Sequence, residues 1–322
     1  MVIFHTDEFV LPLPEGHRFP MEKYRLLREA VARDPELGGA RLLRPAGATD
    51  VELLRVHTHD WVSRVVGGAL SPAEVRRIGF PWSEELVERS RRSVGGTLDG
   101  ARSALTHGAG ANLAGGTHHA MEGQGEGFCV FNDAAVAIRA LQWEGLIRTA
   151  AVVDTDVHQG NGTARIFQGD PSVFTASLHG ASNFPFRKEA GDLDLPLPDG
   201  AGDAAFQEAV DHLLARAVEE FQPDLVVYLA GADAWSGDRL GRLDVSRTAL
   251  ARRDRRVVEA TIKRGIPLVL AMAGGYGDPV TTTVGIHLQS IRTAFQALRS
   301  PGVSIPADWA GPPPPPRAPG LP

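Results

Sequence analysis

The chain has 322 residues, 43% hydrophobic and 22% charged, with a formal net charge of -6. That composition supplies a large core, and the mixed signs argue against the clustered basic stripe of a nucleic-acid surface. The single cysteine, Cys129, excludes an intramolecular disulfide framework and fits a reducing cytoplasm; the start MVIFHTDEFV shows no basic stretch followed by a long apolar one, and no run of about 18 apolar residues occurs, so a cytoplasmic protein without a membrane span is expected.

In chain order, a short strand is expected over 2–4, then an irregular loop with three prolines over 11–20. Helical spacing over 21–33 places Leu26, Leu27, Ala30 and Val31 on one side. A second helix opens near His59 or Asp60 and carries Trp61, Val62, Val65 and Val66. Ser83 opens a long helix reaching about His107, with Glu84 and Glu85 in the first turn, where the dipole favours anions. His57, His59 and His107 have no metal-like spacing and are read as structural or surface residues. The segment 113–121, LAGGTHHAM, is different: a double glycine lets the backbone turn tightly and set two adjacent imidazoles side by side. A glycine-rich loop over 123–133 then leads into a helix over 134–143.

From there strands and helices alternate: strands over 150–154, 173–178, 224–229 and 267–272, helices over 163–168, 203–220, 246–264 and 280–298. This pattern predicts an α/β fold with a single, mostly parallel sheet covered by helices on both faces, its active site at the carboxyl edge of the strands. Residues 181–200 read as one long loop. The expected division is a catalytic domain over 1–300 and a Pro-rich tail over 301–322 that cannot supply a packed core.

The chemistry centres on 150–162, AAVVDTDVHQGNG. If the chain stays extended past the strand, Asp154, Asp156 and His158 share one face, within reach of one ion. A mixed Asp/His set suits a borderline divalent ion such as zinc, and a catalytic site needs three protein ligands plus an open position. Asp233, after the strand LVVYLA, is the best third ligand, with a turn residue as the alternative reading. His118 and His119 are candidate general bases, and Tyr276, between Gly275 and Gly277, can aim a phenol at a developing oxyanion. Together these groups describe metal-assisted hydrolysis of a carbonyl substrate.

The segments GGTHHA (115–120), GFCVFND (127–133), DTDVHQGNG (154–162), SLHG (177–180), GADAWSGD (231–238) and GGYG (274–277) resemble, in order, those of the histone deacetylase superfamily, nearest to its class IV type and bacterial relatives. The resemblance implies an arginase-deacetylase fold, with Zn2+ (or Fe2+ in the cell) held by Asp156, His158 and Asp233. It implies His119 as the main proton-transfer residue, His118 as its electrostatic partner behind which Asp154 stands, and Tyr276 polarising the scissile carbonyl. It further implies a structural K+ at Asp154, Ser177 and Leu178, with the backbone of Asp156 and His158. Gly127 would offer its carbonyl to the substrate N–H, with Phe128, Phe184, Leu240 and Gly275 also at the substrate. Asn161 stands where many class I members have an Asp, and its neutral amide predicts a neutral His119.

The implied reaction is removal of acetyl or longer acyl groups from lysine side chains of proteins or from small acylated amines. Because the named tunnel residues are apolar, a succinyl group is expected to fail, its carboxylate buried without a partner; Arg187 or Lys188, beside Phe186, would be the basic residues to overturn this. An arginase-type ureohydrolase needs further bridging carboxylates, whereas Ala234 and Trp235 follow Asp233. A non-catalytic acyl-lysine binder would be expected to have lost a ligand, the histidine pair or the tyrosine, and all are present. The oligomeric state is not legible.

Overall fold

The computed structural model describes residues 1–299, so the Pro-rich tail expected over 301–322 lies outside the described residues. The strands are β1 (Val2–Phe4), β2 (Arg41–Leu43), β3 (Ala109–Asn112), β4 (Ala150–Asp154), β5 (Val173–Gly180), β6 (Leu193–Leu197), β7 (Leu225–Leu229) and β8 (Leu268–Ala271). They form one eight-stranded sheet in the order β2-β1-β3-β8-β7-β4-β5-β6. Every pairing is parallel, which sharpens the "mostly parallel" expectation. The helices are α1 (Glu22–Arg33), α2 (Asp50–Leu53), α3 (His59–Val66), α4 (Pro72–Ile78), α5 (Glu84–His107), α6 (Asp133–Trp143), α7 (Asn161–Phe167), α8 (Asp203–Leu214), α9 (Arg247–Ala260) and α10 (Val280–Leu298). None of these is long and apolar enough to cross a membrane.

The central strands β3, β8, β7 and β4 are buried at every position because both faces are covered, and their residues are mostly apolar. On β4, Ala151 and Val153 join one core with helices α8, α9 and α10, while Ala150 and Val152 join the other with α5 and α6. The same period of two divides Leu268 and Leu270 from Val269 and Ala271 on β8. A third cluster, with Trp61, Phe80, Val130, Phe131 and Tyr276, joins α3–α5 and the loops before α1 and α6 to the loop after β8.

Three strands escaped the sequence reading for physical reasons. Strand β3 is AGAN, whose small residues carry no β signal but let α5 lie almost on the backbone: a Cβ on Gly110 would stand 2.1 Å from the Gly100 carbonyl oxygen. Strand β2 is three residues on the sheet edge. Strand β6, LDLPL, corrects the expectation of a loop throughout 181–200; Pro196 hides it, and a proline is tolerated there because β6 is the other edge. The helix expected over 203–220 ends its α-helical part at Leu214 and continues as a π-helical stretch over Ala215–Glu220. That expected over 246–264 changes at Thr261 into a 3₁₀ turn, Ile262–Arg264.

The closeness of α5 and β3 yields a test away from the site. Gly110→Ala is expected to destabilise the protein by about 1–3 kcal/mol, because backbone rather than a flexible side chain occupies the space. An unchanged denaturant midpoint would show that the helix yields freely.

Candidate active site

Because the strands are parallel, β3, β8, β7 and β4 deliver GGTHH, GGYG, GADA and DVH to one edge of the sheet. Strand β4 stops at Asp154, so the extended run expected through His158 does not form. Two side-chain turns replace it: Asp154 Oδ1 accepts the Asp156 N–H (3.0 Å), and Asp156 Oδ1 accepts the His158 N–H (2.9 Å). The bend separates the three residues, sending Asp154 to His118 and bringing Asp156 and His158 towards Asp233.

Ligand atoms of Asp156, His158 and Asp233 all lie within 4.8 Å of one another, and all three residues are buried. Asp233 Oδ1 accepts the Val157 N–H at 2.9 Å, whereas its Oδ2 is buried without a well-formed hydrogen bond, 3.2 Å from His158 Nδ1. Asp156 Oδ2 accepts the Gly274 N–H at 2.7 Å. Only glycine fits there, since a Cβ at 274 would stand 1.9 Å from Asp233 Oδ2. Burial, reinforced by the Asp156 charge, pushes the Asp233 carboxyl up to about 7. Burial opposes a charge on His158, but its bonds to Asp156 and Asp233 and their negative charge outweigh that and raise it to about 10. Two crowded carboxylates, one with an orphaned oxygen, and a ring nitrogen facing both fit a divalent cation of the Asp/His-binding kind.

His118 and His119 lie side by side with ring centroids 4.1 Å apart, yet their environments differ. His118 Nδ1 meets Asp154 Oδ2 at 2.6 Å. Burial resists a charge on this ring, but Asp154 and Asp156 prevail and raise it to about 9. His119 Nδ1 meets Asn161 Oδ1 at 2.7 Å, and the Asn161 amide donates to Glu126 Oε1 at 2.6 Å. The Glu126 carboxylate can only accept, so it fixes the amide orientation, makes His119 the Nδ1–H tautomer and leaves Nε2 unprotonated. Burial, then the charges on His118 and His158, holds His119 well below its ordinary value. The loop carrying the pair is tied down by Asp133 at the start of α6, which accepts from the Gly116 and Thr117 N–H groups at 3.0 and 2.7 Å.

Tyr276 is fixed through its backbone, its N–H donating to Asp238 Oδ2 (2.6 Å) and its carbonyl accepting from Arg239 Nε (2.9 Å). Its ring stands at 88° to that of His158, centroids 6.4 Å apart. A cavity of about 50 Å³ joins these groups, its lining including His118, His119, Phe128, Asp156, His158 and Tyr276. A buried acid–base pair of unlike charge, a cation site and a phenol around one cavity are the parts needed for hydrolysis at a carbonyl.

A model of the histone deacetylase domain matches residues 17–290. The chain belongs to the histone deacetylase family. It is 44% identical over 286 residues to an uncharacterized protein of Picosynechococcus sp., covering 89% of this chain and 95% of that one. It is 30% identical over 270 residues to histone deacetylase 2 of Arabidopsis thaliana, covering 81% of this chain and 70% of that one. The crystal structure of HDA15 HD domain matches with a TM-score of 0.75 at 24% identity, covering 93% of this chain and 91% of that one. The arginase-deacetylase fold expected from the sequence is therefore the fold observed, and the chain is a histone deacetylase-family hydrolase.

Within this histone deacetylase-family site, Gly127 and Phe128 both have positive φ, 56° and 67°. A Cβ on Gly127 would stand 2.6 Å from the His119 ring. Phe128 lines the cavity, whereas Phe184 packs edge-on against His119 at 4.9 Å. Leu240 and Gly275 lie outside the lining: the Leu240 carbonyl accepts from Asn183, and the Gly275 carbonyl from Lys23. Asp154 pairs in register with Ser177, and both border a separate small cavity. His57, read as structural, is buried; its Nε2 accepts the Asn132 N–H.

Sequence reasoning missed Glu126, Asp238 and Lys23. Glu126 sits in the glycine-rich loop over 123–133 but pairs with a residue 35 positions away, and Asp238 closes the GADAWSGD motif. The named tunnel residues are apolar, but a basic residue that the sequence reading did not name, Lys23, is buried and lines the cavity. Lys188 does not reach in; its Nζ donates to the Asn183 and Pro185 carbonyls of its own loop.

Two tests follow from this geometry. Asp233, at about 7, and His158, at about 10, must both lose protons to ligate, so zinc affinity of the metal-depleted protein should rise with pH, more steeply below about 7 than above it. Chelator competition measures this, and a flat profile across neutral pH would contradict the ligand set. Glu126→Ala frees the Asn161 amide to rotate; zinc content should persist while kcat falls roughly 10- to 100-fold, with Glu126→Gln, which keeps an acceptor, falling less. Wild-type kcat in Glu126→Ala would reduce Glu126 to a surface contact.

Proposed function

We propose that this chain is a zinc-dependent deacylase that removes acetyl and longer acyl groups from lysine side chains or related acylated amines. The observation that carries this reading is the convergence of Asp156, His158 and Asp233 beside two histidines of opposite charge preference and a fixed tyrosine. Among the described residues one three-ligand group converges, which favours a single ion over the two-metal centre of a ureohydrolase. Zinc is the ion proposed, with Fe2+ as the alternative in the cell, and a K+ is proposed at Asp154, Ser177 and Leu178. When bound, the divalent ion would supply Lewis acidity to the substrate carbonyl and to the attacking water.

The protein's own groups divide the remaining work. His119, neutral with Nε2 free, accepts the proton of the attacking water. His118, charged against Asp154, stabilises the negative charge that develops nearby, and the proton held on His119 passes to the leaving amine. Burial, then Asp156 and Asp233, raises the Tyr276 phenol well above its ordinary value, so it stays protonated and donates to the carbonyl oxygen as charge builds there. The Gly127 carbonyl accepts the substrate N–H, and Phe128 and Phe184 flank the alkyl chain of the amine. The substrate is proposed as an acylated protein lysine, with a small acylated amine as the second reading because the same amide meets the same groups.

Metal analysis paired with turnover of a fluorogenic acetyl-lysine peptide tests the reading. One zinc per chain and hydrolysis are expected in the wild type, and Asp233→Ala should lose both. Tyr276→Phe should keep the metal and lose roughly 10²- to 10³-fold in kcat, the effect of deleting one oxyanion donor. Normal turnover in Asp233→Ala, or an unchanged kcat in Tyr276→Phe, would overturn the assignment of that residue.

A further inference from the structure

Lys23, one of three lysines in the chain, is 3% exposed on α1 and lines the catalytic cavity. Its Nζ donates one hydrogen bond, to the Gly275 carbonyl at 3.3 Å. The rings of Phe19, Tyr24 and Tyr276 surround it at 5.3, 5.2 and 5.1 Å from their centroids. Among the described residues no carboxylate pairs with it. An ammonium has three donors, so two remain. The aromatic faces attract the charge but offer no oxygen to those hydrogens, and a buried cation without an anionic partner is costly. Beyond the same glycine lies His287, also buried, neither of whose ring nitrogens is well hydrogen-bonded. Asp156, the one carboxylate in the cavity lining, and its neighbour Asp233 both face His158 instead. The ammonium therefore gives one wall of the cavity an unmet demand for an anion, and it stands on the ring of Tyr276, the residue proposed to hold the scissile carbonyl.

We propose that Lys23 forms a carboxylate subsite of the acyl pocket, receiving the distal carboxylate of a short dicarboxylic acyl group such as succinyl or glutaryl. This rests on the deacylase reading above. It reverses the expectation that a succinyl group must fail, because the partner missing from the sequence reading is present. The hydrolysis is unchanged: water adds to the amide carbonyl, the C–N bond breaks, the amine leaves with a proton, and a dicarboxylate is released in place of a monocarboxylate.

The test compares kcat/KM for butyryl-, succinyl- and glutaryl-lysine forms of one peptide, in the wild type, Lys23→Met and Lys23→Arg of the zinc-loaded protein. Butyryl and succinyl have equal carbon counts and differ in the distal group. The wild type should hydrolyse a dicarboxylic form at least as well as butyryl. In Lys23→Met the dicarboxylic-to-butyryl ratio should fall roughly 10- to 100-fold, as expected for losing a charged hydrogen bond, and Lys23→Arg should preserve most of it. A ratio is used because a structural disturbance of Tyr276 lowers both rates and leaves their ratio alone. Calorimetric binding of the same peptides reads the subsite without turnover, with succinyl preferred by the wild type and not by Lys23→Met. Butyryl turnover with succinyl rejected, or equal losses on both in Lys23→Met, overturns the proposal while the deacylase reading stands. Failure to hydrolyse any acyl peptide overturns that reading instead, and equal binding of succinyl and butyryl then removes the subsite with it. Inhibition by free acetate that vanishes in Lys23→Met without succinyl discrimination assigns the ammonium to the released product, which also overturns the proposal.

Discussion

Asp156 and Asp233 are buried side by side, and burying a carboxylate costs several kcal/mol unless a donor or a cation meets its oxygens. Much of the carboxyl edge answers that demand. Gly274 brings a backbone N–H against Asp156 because it has no Cβ, Val157 gives its N–H to Asp233, and His158 stands between the two acids. Behind them the fully buried Arg253 pairs with Asp254 and donates to the Gly231 carbonyl, two residues before Asp233. The one oxygen left over, Asp233 Oδ2, is on the side shared with His158. Such an arrangement is poorly matched to an empty interior and well matched to the proposed dication.

The histidine pair obeys a related constraint. Two imidazolium ions at 4.1 Å would repel, and the surroundings resolve this by giving one ring a carboxylate and the other an amide. Asp154 sits directly behind His118, whereas the nearest negative charge behind His119, on Glu126, is one hydrogen bond further away and acts through Asn161. Distance and the intervening amide let Glu126 set orientation without lending its full charge to the imidazole. That asymmetry supports the proposed division of labour, proton acceptance by one ring and charge stabilisation by its neighbour.

The sequence disclosed what is local and what repeats with a period. Strand β4, helix α10 and the start of α5 at Ser83 were legible from apolar runs and caps. The convergence of Asp156, His158 and Asp233 was legible because all three follow strand ends, where a parallel sheet gathers its loops. What stayed hidden depends on contacts between distant residues. Nothing in AGAN marks a central strand until α5 is laid against it, and β6 is masked by a proline that only an edge position tolerates. The bend after Asp154 was missed because alternation assumes an extended chain, while two aspartates capping the backbone two residues on curl it instead. Glu126 and Lys23 act on partners 35 and 252 positions away, separations at which no periodicity speaks.

Lys23 also shows how the first helix and the sheet edge divide the site. The sheet edge supplies the proposed cation ligands and both histidines, groups whose positions are tied to one another by hydrogen bonds between strand-end loops. The first helix supplies a wall: Phe19, Lys23 and Tyr24 reach the cavity from before and within α1, and among the described residues their polar tie to the edge is the Lys23 bond to Gly275. Aromatic faces and a single bond constrain a wall far less than three converging ligands constrain a centre. The shape and charge of the wall are thus set by a short segment that shares no cation ligand. In a hydrolase whose reacting groups are fixed by the sheet, that is the segment in which acceptance of a different acyl end is physically easiest to build.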